Sequence, residues 1–351
     1  MKSKIYIVSG ITLLVIVGLL GYFYYVGGKI QSGQSSTTVS QTGSGDIAPI
    51  NDSDLRVPVD NSVIDCSVAN NLVATSSSEL TNYIISTSTT KASITIQNII
   101  KNYSVGVNTY LQGGAWTETV TMTDKNDVLC NLTNVRSIAN IALANAKYLA
   151  ENNNSAKAES IISSVLNTNQ QIQNHSGSLI GYLVTFATKS NAIDLLLSLK
   201  SRGLIDANSF RPTLSKYSDN ETGQKIALQY EYSRSAQMID DIAANRYDSP
   251  LLVGDGSDSA LETIAAIEKE KNTYNFEPNN TKLLYYNVFK SMYSNVDLPC
   301  GSTYNTIIPK FDQAATTSEN YIGKILASVS LVSLDSINDK RCGLETKFSQ
   351  F

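Results

Sequence analysis

Apolar residues recur at helical spacing through most of the chain, most clearly over 135–199. At about 100° per residue, Ile138, Ile141, Ala142, Ala146, Tyr148 and Leu149 fall on one side of a helix predicted over 135–151, with Asn134 as its cap. Arg136, Lys147 and Glu151 fall on the opposite side. Asn152-Asn153-Asn154 then makes a polar turn, because asparagine tolerates the left-handed backbone that ends helices. A second helix over 155–173 gathers Ala158, Ile161, Ile162, Val165 and Ile172 on one face, so the two form a helical hairpin. Ser178 caps a third helix that reaches Leu199. Leu179, Ile180, Tyr182, Leu183, Val184, Phe186 and Ala187 leave its first half few polar faces, so neighbours must cover it on most sides. Thr185, Lys189 and Asp194 interrupt it too soon for a membrane span.

The same spacing predicts helices over 63–75, 79–86 and 90–103 ahead of this centre, and over 222–245, 259–271, a stretch ending at Asn295, and 321–337 behind it. Ser259-x-x-Glu262 is a capping box, and Phe276-Glu277-Pro278 is a turn into the helix that follows. Gln112-Gly113-Gly114 and Pro299-Cys300-Gly301 are breaks. Only 115–123 alternates as a short strand or extended loop would; it holds the single tryptophan, Trp116, read as a plug over the core. The predicted fold class is all-α, one helical domain over 62–351.

The amino-terminal end follows a different rule. Lys2 and Lys4, within a short cytoplasmic end over 1–4, precede an uncharged run over 5–28 that Lys29 closes. At ~1.5 Å per residue this run is long enough to cross ~30 Å of hydrocarbon. Tyr22, Phe23, Tyr24 and Tyr25 stand at its far end, where amphipathic rings favour the headgroup layer. A cleaved signal peptide is the alternative, but the run is longer than a usual signal core and lacks a small-residue exit. The lysines put the short end in the cytoplasm and the domain outside. Residues 29–61, rich in Ser, Thr, Gly and Gln, bury too little to fold and are expected to be a flexible tether.

All four cysteines lie in the part expected outside, where an even count suggests two disulfides with three possible connectivities. Cys66–Cys130 and Cys300–Cys342 are favoured because each closes the shorter loop. There is no C-x-x-C, so neither dithiol redox catalysis nor a zinc knuckle is supported.

Composition narrows the chemistry further. Net charge is -4 and charged residues make up 17%, which argues against a nucleic-acid surface. With one histidine, His175, most zinc sites and any two-histidine mechanism fall away. The run Gly254-Asp255-Gly256-Ser257-Asp258-Ser259 fails the calcium-loop spacing, and no metal or cofactor is expected. Glu231, between Tyr230 and Tyr232 and three residues before Arg234, is either half of a helical ion pair or a carboxylate in a tyrosine-lined cleft. Asn145 and Asn169 fall inside apolar helix faces: they either line a groove for a partner or bond a neighbouring helix and fix register. Glu231 and His175 are the only residues that an acid-base mechanism could enlist.

Ala146, Leu149, Ala158, Ile162 and Val165 fall where a tetratricopeptide hairpin carries its packing residues, so this one hairpin resembles that family, without the closing proline or a recurring period. The resemblance implies a concave groove for a peptide or protein. The stretches FEPNNTKLLYYNVFKSM and NYIGKILASVSLVSLDSI, with the hairpin and SLIGYLV, make 134–341 similar to an uncharacterised group of bacterial membrane-anchored helical proteins. That likeness implies no catalytic residue. The expectation is a membrane-anchored, extracytoplasmic binding or scaffold protein of the cell envelope with a protein or peptide partner, Asn145, Asn169 and Glu231 being the candidate binding residues. An envelope hydrolase, or a subunit of a surface appendage or secretion assembly, is the alternative.

Overall fold

The computed structural model describes residues 48–57, 75, 77–86, 91–112, 132–175, 179–206, 210–211, 214–217, 220–246, 276–300 and 335–350. Among them every regular element is helical: α1 (Ser78–Ile85), α2 (Ile94–Asn102), α3 (Ser104–Leu111), α4 (Leu132–Glu151), α5 (Ser155–His175), α6 (Leu179–Ser201), α7 (Glu221–Ala243), α8 (Pro278–Asn295) and α9 (Asp335–Ser349), with one 3-10 turn at Ser215–Tyr217. The all-α class is thus observed. The run over 5–28, all but the last residue of the helix expected over 63–75, the helix expected over 259–271, the extended stretch 115–123 with Trp116, and Cys66 and Cys130 lie outside the described residues. Among the described residues no helix is long and apolar enough to cross a membrane.

The centre has the predicted layout. α4 and α5 pack as a hairpin, and α6 lies against α4, α5, α7, α9 and α1. Its buried residues run round the helix, from Tyr182 and Phe186 to Ala192, Ile193, Leu195, Leu196 and Leu199, so neighbours meet it from several directions. α7 pairs with α8. These two run antiparallel, because Lys225 at the start of α7 bonds Asp297 beyond the end of α8 at 2.5 Å, while Asp240 near the end of α7 bonds Lys282 near the start of α8 at 2.8 Å.

Three helix ends share one device. Asn153, Gly203 and Asn245 each adopt positive φ, at 62°, 67° and 57°. The residue after each returns an N–H to the last turn: Asn154 to Leu149 O, Leu204 to Leu199 O and Arg246 to Asp241 O, at 2.9, 3.0 and 2.8 Å. The asparagine turn of the hairpin was legible for this reason. At the other ends, the Ser77 and Ser93 hydroxyls accept the N–H of Leu80 and Ile96 and start α1 and α2.

Three local expectations are revised. α4 begins at Leu132, so Asn134 sits inside its first turn and does not cap it. The helix expected over 90–103 is α2, followed after Tyr103 by a separate α3 whose Val107 and Tyr110 are buried. The stretch expected over 321–337 is described only from 335, and there α9 runs past Ile337 to Ser349, burying Ile337, Arg341 and Leu344.

Candidate functional site

Asn145, Asn169 and Glu231 stand on α4, α5 and α7, and no hydrogen bond joins any two of them. Asn145 is half-buried. Asn169 is fully buried, and its amide donates to the Tyr110 hydroxyl on α3 at 2.6 Å and to Val165 O at 2.8 Å. It therefore ties α3 to α5, the register role weighed for it, and burial pushes the Tyr110 phenol well above its ordinary value. Glu231 is half-buried, and no ion pair links it to Arg234 among the described residues.

Lys147, expected on the polar side of α4, has no exposed surface. α1 packs on that side, and the Lys147 Nζ donates to Tyr83 O and Ser86 O, both at 2.6 Å, and to Ser86 Oγ at 2.7 Å. The ammonium thus serves the carbonyls at the end of α1, which no helical N–H can reach. It also lies 4.7 Å from the centre of the Tyr83 ring. Burial draws its pKa below the ordinary lysine value, with Glu151 pulling the other way. Glu151, also expected on the polar face, accepts the Tyr83 hydroxyl at 2.7 Å and pairs with Arg202 at 2.8 Å. Burial, then Glu151, raises the Tyr83 phenol. This cluster joins α1, α4 and the end of α6.

A second buried ammonium, Lys189 on α6, donates to Gln170 Oε1 at 2.5 Å, to Gln173 Oε1, to Asn220 Oδ1 at 3.1 Å and to Tyr217 O at 3.4 Å. It gathers α5, the 3-10 turn and the start of α7. Gly223 lets α7 approach: a Cβ there would lie 2.4 Å from Gln173 Cγ. Lys147 is held by oxygens at the end of α1 and Lys189 by oxygens from α5, the 3-10 turn and Asn220, and neither shares a described nucleophile or base with Glu231.

Arg341 on α9 is 1% exposed and bonds Glu221, Glu345 and Leu298 O, at 3.3, 3.0 and 3.3 Å. The next residue, Cys342, is disulfide-bonded to Cys300 across a separation of 42 residues, one of the two favoured pairings. Cys300, Cys342 and Glu345 come close enough to suggest a metal site, but a disulfide offers no thiolate.

The cluster that the sequence hid most completely lies on the face of α7 and α8. Residues 51–57, expected to belong to a free tether, form a turn seated on that face. Asn51 accepts from Ser53, and the Asp52 carbonyl accepts the N–H of Leu55 and Arg56 at 3.0 Å, so the turn organises itself. Leu55 is fully buried, which contributes about 1.5–3 kcal/mol. Tyr232 donates to Asp52 at 2.6 Å, Tyr286 to Asp54 at 3.2 Å, and Lys290 pairs with Asp54. Arg56 bonds Asp52 at 2.8 Å and Asp240 at 3.4 Å. The Val57 N–H reaches Ser233 Oγ at 3.1 Å.

Electrostatics favour the seated turn. Burial works against the Asp52 carboxylate, but the Tyr232 hydroxyl and Arg56 outweigh it and hold its pKa below the usual range. Lys290 does the same for Asp54, aided by Tyr286. Burial and Asp52 raise the Tyr232 phenol. Comparison with protein-family models, curated proteins and solved structures gives no match, so neither the tetratricopeptide likeness nor the likeness to anchored helical proteins gains support from a relative.

Proposed function

We propose that this chain is a membrane-anchored extracytoplasmic helical scaffold of the cell envelope that binds a protein or peptide partner. The run over 5–28 serves as its anchor, and the α4–α5 hairpin, tetratricopeptide-like in its packing positions, belongs to the presenting body. The seated turn at 51–57 is the observation that carries the reading. A tether that ends in side-chain bonds to α7 and α8 gives the body a defined attachment, which suits a protein that presents a surface at a membrane. Asn145 on α4 and Glu231 on α7, both half-buried, are the sequence-nominated residues left available for a partner.

Two measurements test the reading. The chain is expected to stay with membranes through alkaline carbonate extraction, and a carboxyl-terminal tag is expected to be digested by protease added outside intact cells. Extraction by carbonate, or a protected tag, rejects the anchored, outward orientation. For the partner, a photo-crosslinking amino acid at position 145 in living cells is expected to give one discrete heteromeric adduct. Its absence at expression levels that place the chain in the envelope rejects the binding role.

A further inference from the structure

We propose that the α7–α8 face is a recognition seat for a short acidic segment of another protein, and that residues 51–57 are its built-in competitor. The inference rests on the binding reading above and names the seat and its ligand chemistry.

The seat is written at helical spacing on both helices. Gln229, Tyr232, Ser233 and Asp240 form one row on α7, and Lys282, Tyr286 and Lys290 another on α8. Most of what it offers is donors: the Tyr232 and Tyr286 hydroxyls and the Lys290 ammonium all point at carboxylates, while Lys282 holds Asp240. Ser233 Oγ accepts a backbone N–H, and Gln229 donates to the Asp54 carbonyl at 3.5 Å. The aromatic floor is continuous, with Tyr232 6.0 Å from both the Tyr286 and Phe289 ring centres. Such a surface fits two acids followed by a leucine, the Asp-x-Asp-Leu pattern of the resident turn.

The resident is held as a ligand is held. Its contacts with side chains of the seat reach 175 to 236 residues along the chain, so no local connection imposes them. It is compact and capped by its own Asn51. The outer ion pair is open to water, Lys290 and Asp54 being 42% and 45% exposed, so this edge can exchange with a competing acid.

The test uses the purified full-length chain in detergent and a fluorescent peptide of residues 48–60. A D52N/L55S chain, its own turn disarmed, is expected to bind the peptide at least tenfold more tightly than the unmodified chain does. Adding Lys290→Glu, or reversing both peptide aspartates to lysine, is expected to remove at least tenfold. Equal binding by the disarmed and unmodified chains overturns the proposal. So does a concentration-dependent dimer that the peptide cannot dissolve, which would assign the seat to a second copy. If the disarmed chain fails to fold, hydrogen exchange on the unmodified chain decides. Millimolar peptide must then speed exchange at the Leu55 and Val57 amides, and unchanged exchange overturns the proposal. The readouts need neither membrane nor cellular partner, so they fail separately from the anchoring and crosslinking tests.

Discussion

At the scale of single residues, the polar groups inside the body decide most. Asn169 was conspicuous in the sequence because it interrupts an apolar face, and its register role was one of the two readings open to it. Its partner was not legible: Tyr110 lies on a helix that the break at Gln112 obscured. Lys147 was misread because amphipathic spacing assigns a lysine to water, whereas the end of α1 needed a donor there. Lys147→Met is expected to cost about 1–3 kcal/mol, since the carbonyls it serves stay buried and lose their donor. A urea midpoint equal to that of the parent chain would contradict this. Gly223→Ala is expected to cost about 1–3 kcal/mol through overpacking against Gln173, which itself holds Lys189. A thermal melt of that variant, with the parent chain alongside, checks it.

At the scale of elements, the helices with clean apolar stripes were readable to within a few residues, as α5, α7 and α8 show. α9 was not, although Ile337, Arg341, Leu344 and Phe348 are spaced like a buried stripe. An arginine in the stripe and a glycine within the helix hide it, and only the acidic partners and the Leu298 carbonyl explain why the arginine is inside. The turn at 51–57 was hidden for the opposite reason. Five polar residues in seven read as solvent-loving tether, because the tyrosines and lysines that match them come much later in the chain.

The chemistry of that turn predicts its pH response. Asp52 and Asp54 have folded-state pKa values below their ordinary value of about 3.9. Their contribution to docking is therefore complete above that ordinary value and disappears as pH falls through the lowered values. An environment-sensitive dye at Ser53, which is exposed, is expected to report unseating only below about pH 4. Loss of docking near neutral pH would refute this assignment of the bonds.

For the molecule as a whole, the apolar character of 179–199 already announced a helix that others must surround, and α6 is that helix. What it is surrounded by was legible only for the hairpin, since pattern gives faces but not which faces meet. Covalent closure completes the arrangement at the carboxyl-terminal end, where Cys300–Cys342 ties the end of the α8 region to α9. Loop-closure entropy for a loop of this size gives roughly 3–5 kcal/mol. Reduction is expected to lower the melting temperature and to free α9 first; C300S/C342S should then melt like the reduced parent chain, and a melt insensitive to reductant would discount the loop-entropy contribution.

The seated turn also sets where mechanical load enters. A pull applied to the chain ahead of Asn51 arrives first at Leu55 and at the bonds to Tyr232, Ser233 and Tyr286, so α7 and α8 take the strain before any force reaches α1 at Ser78. The segment acts as a strain relief on a cable. Tugging on the leader loosens a small turn that can reseat on α7 and α8, while α1 bears no tension until that turn has slipped.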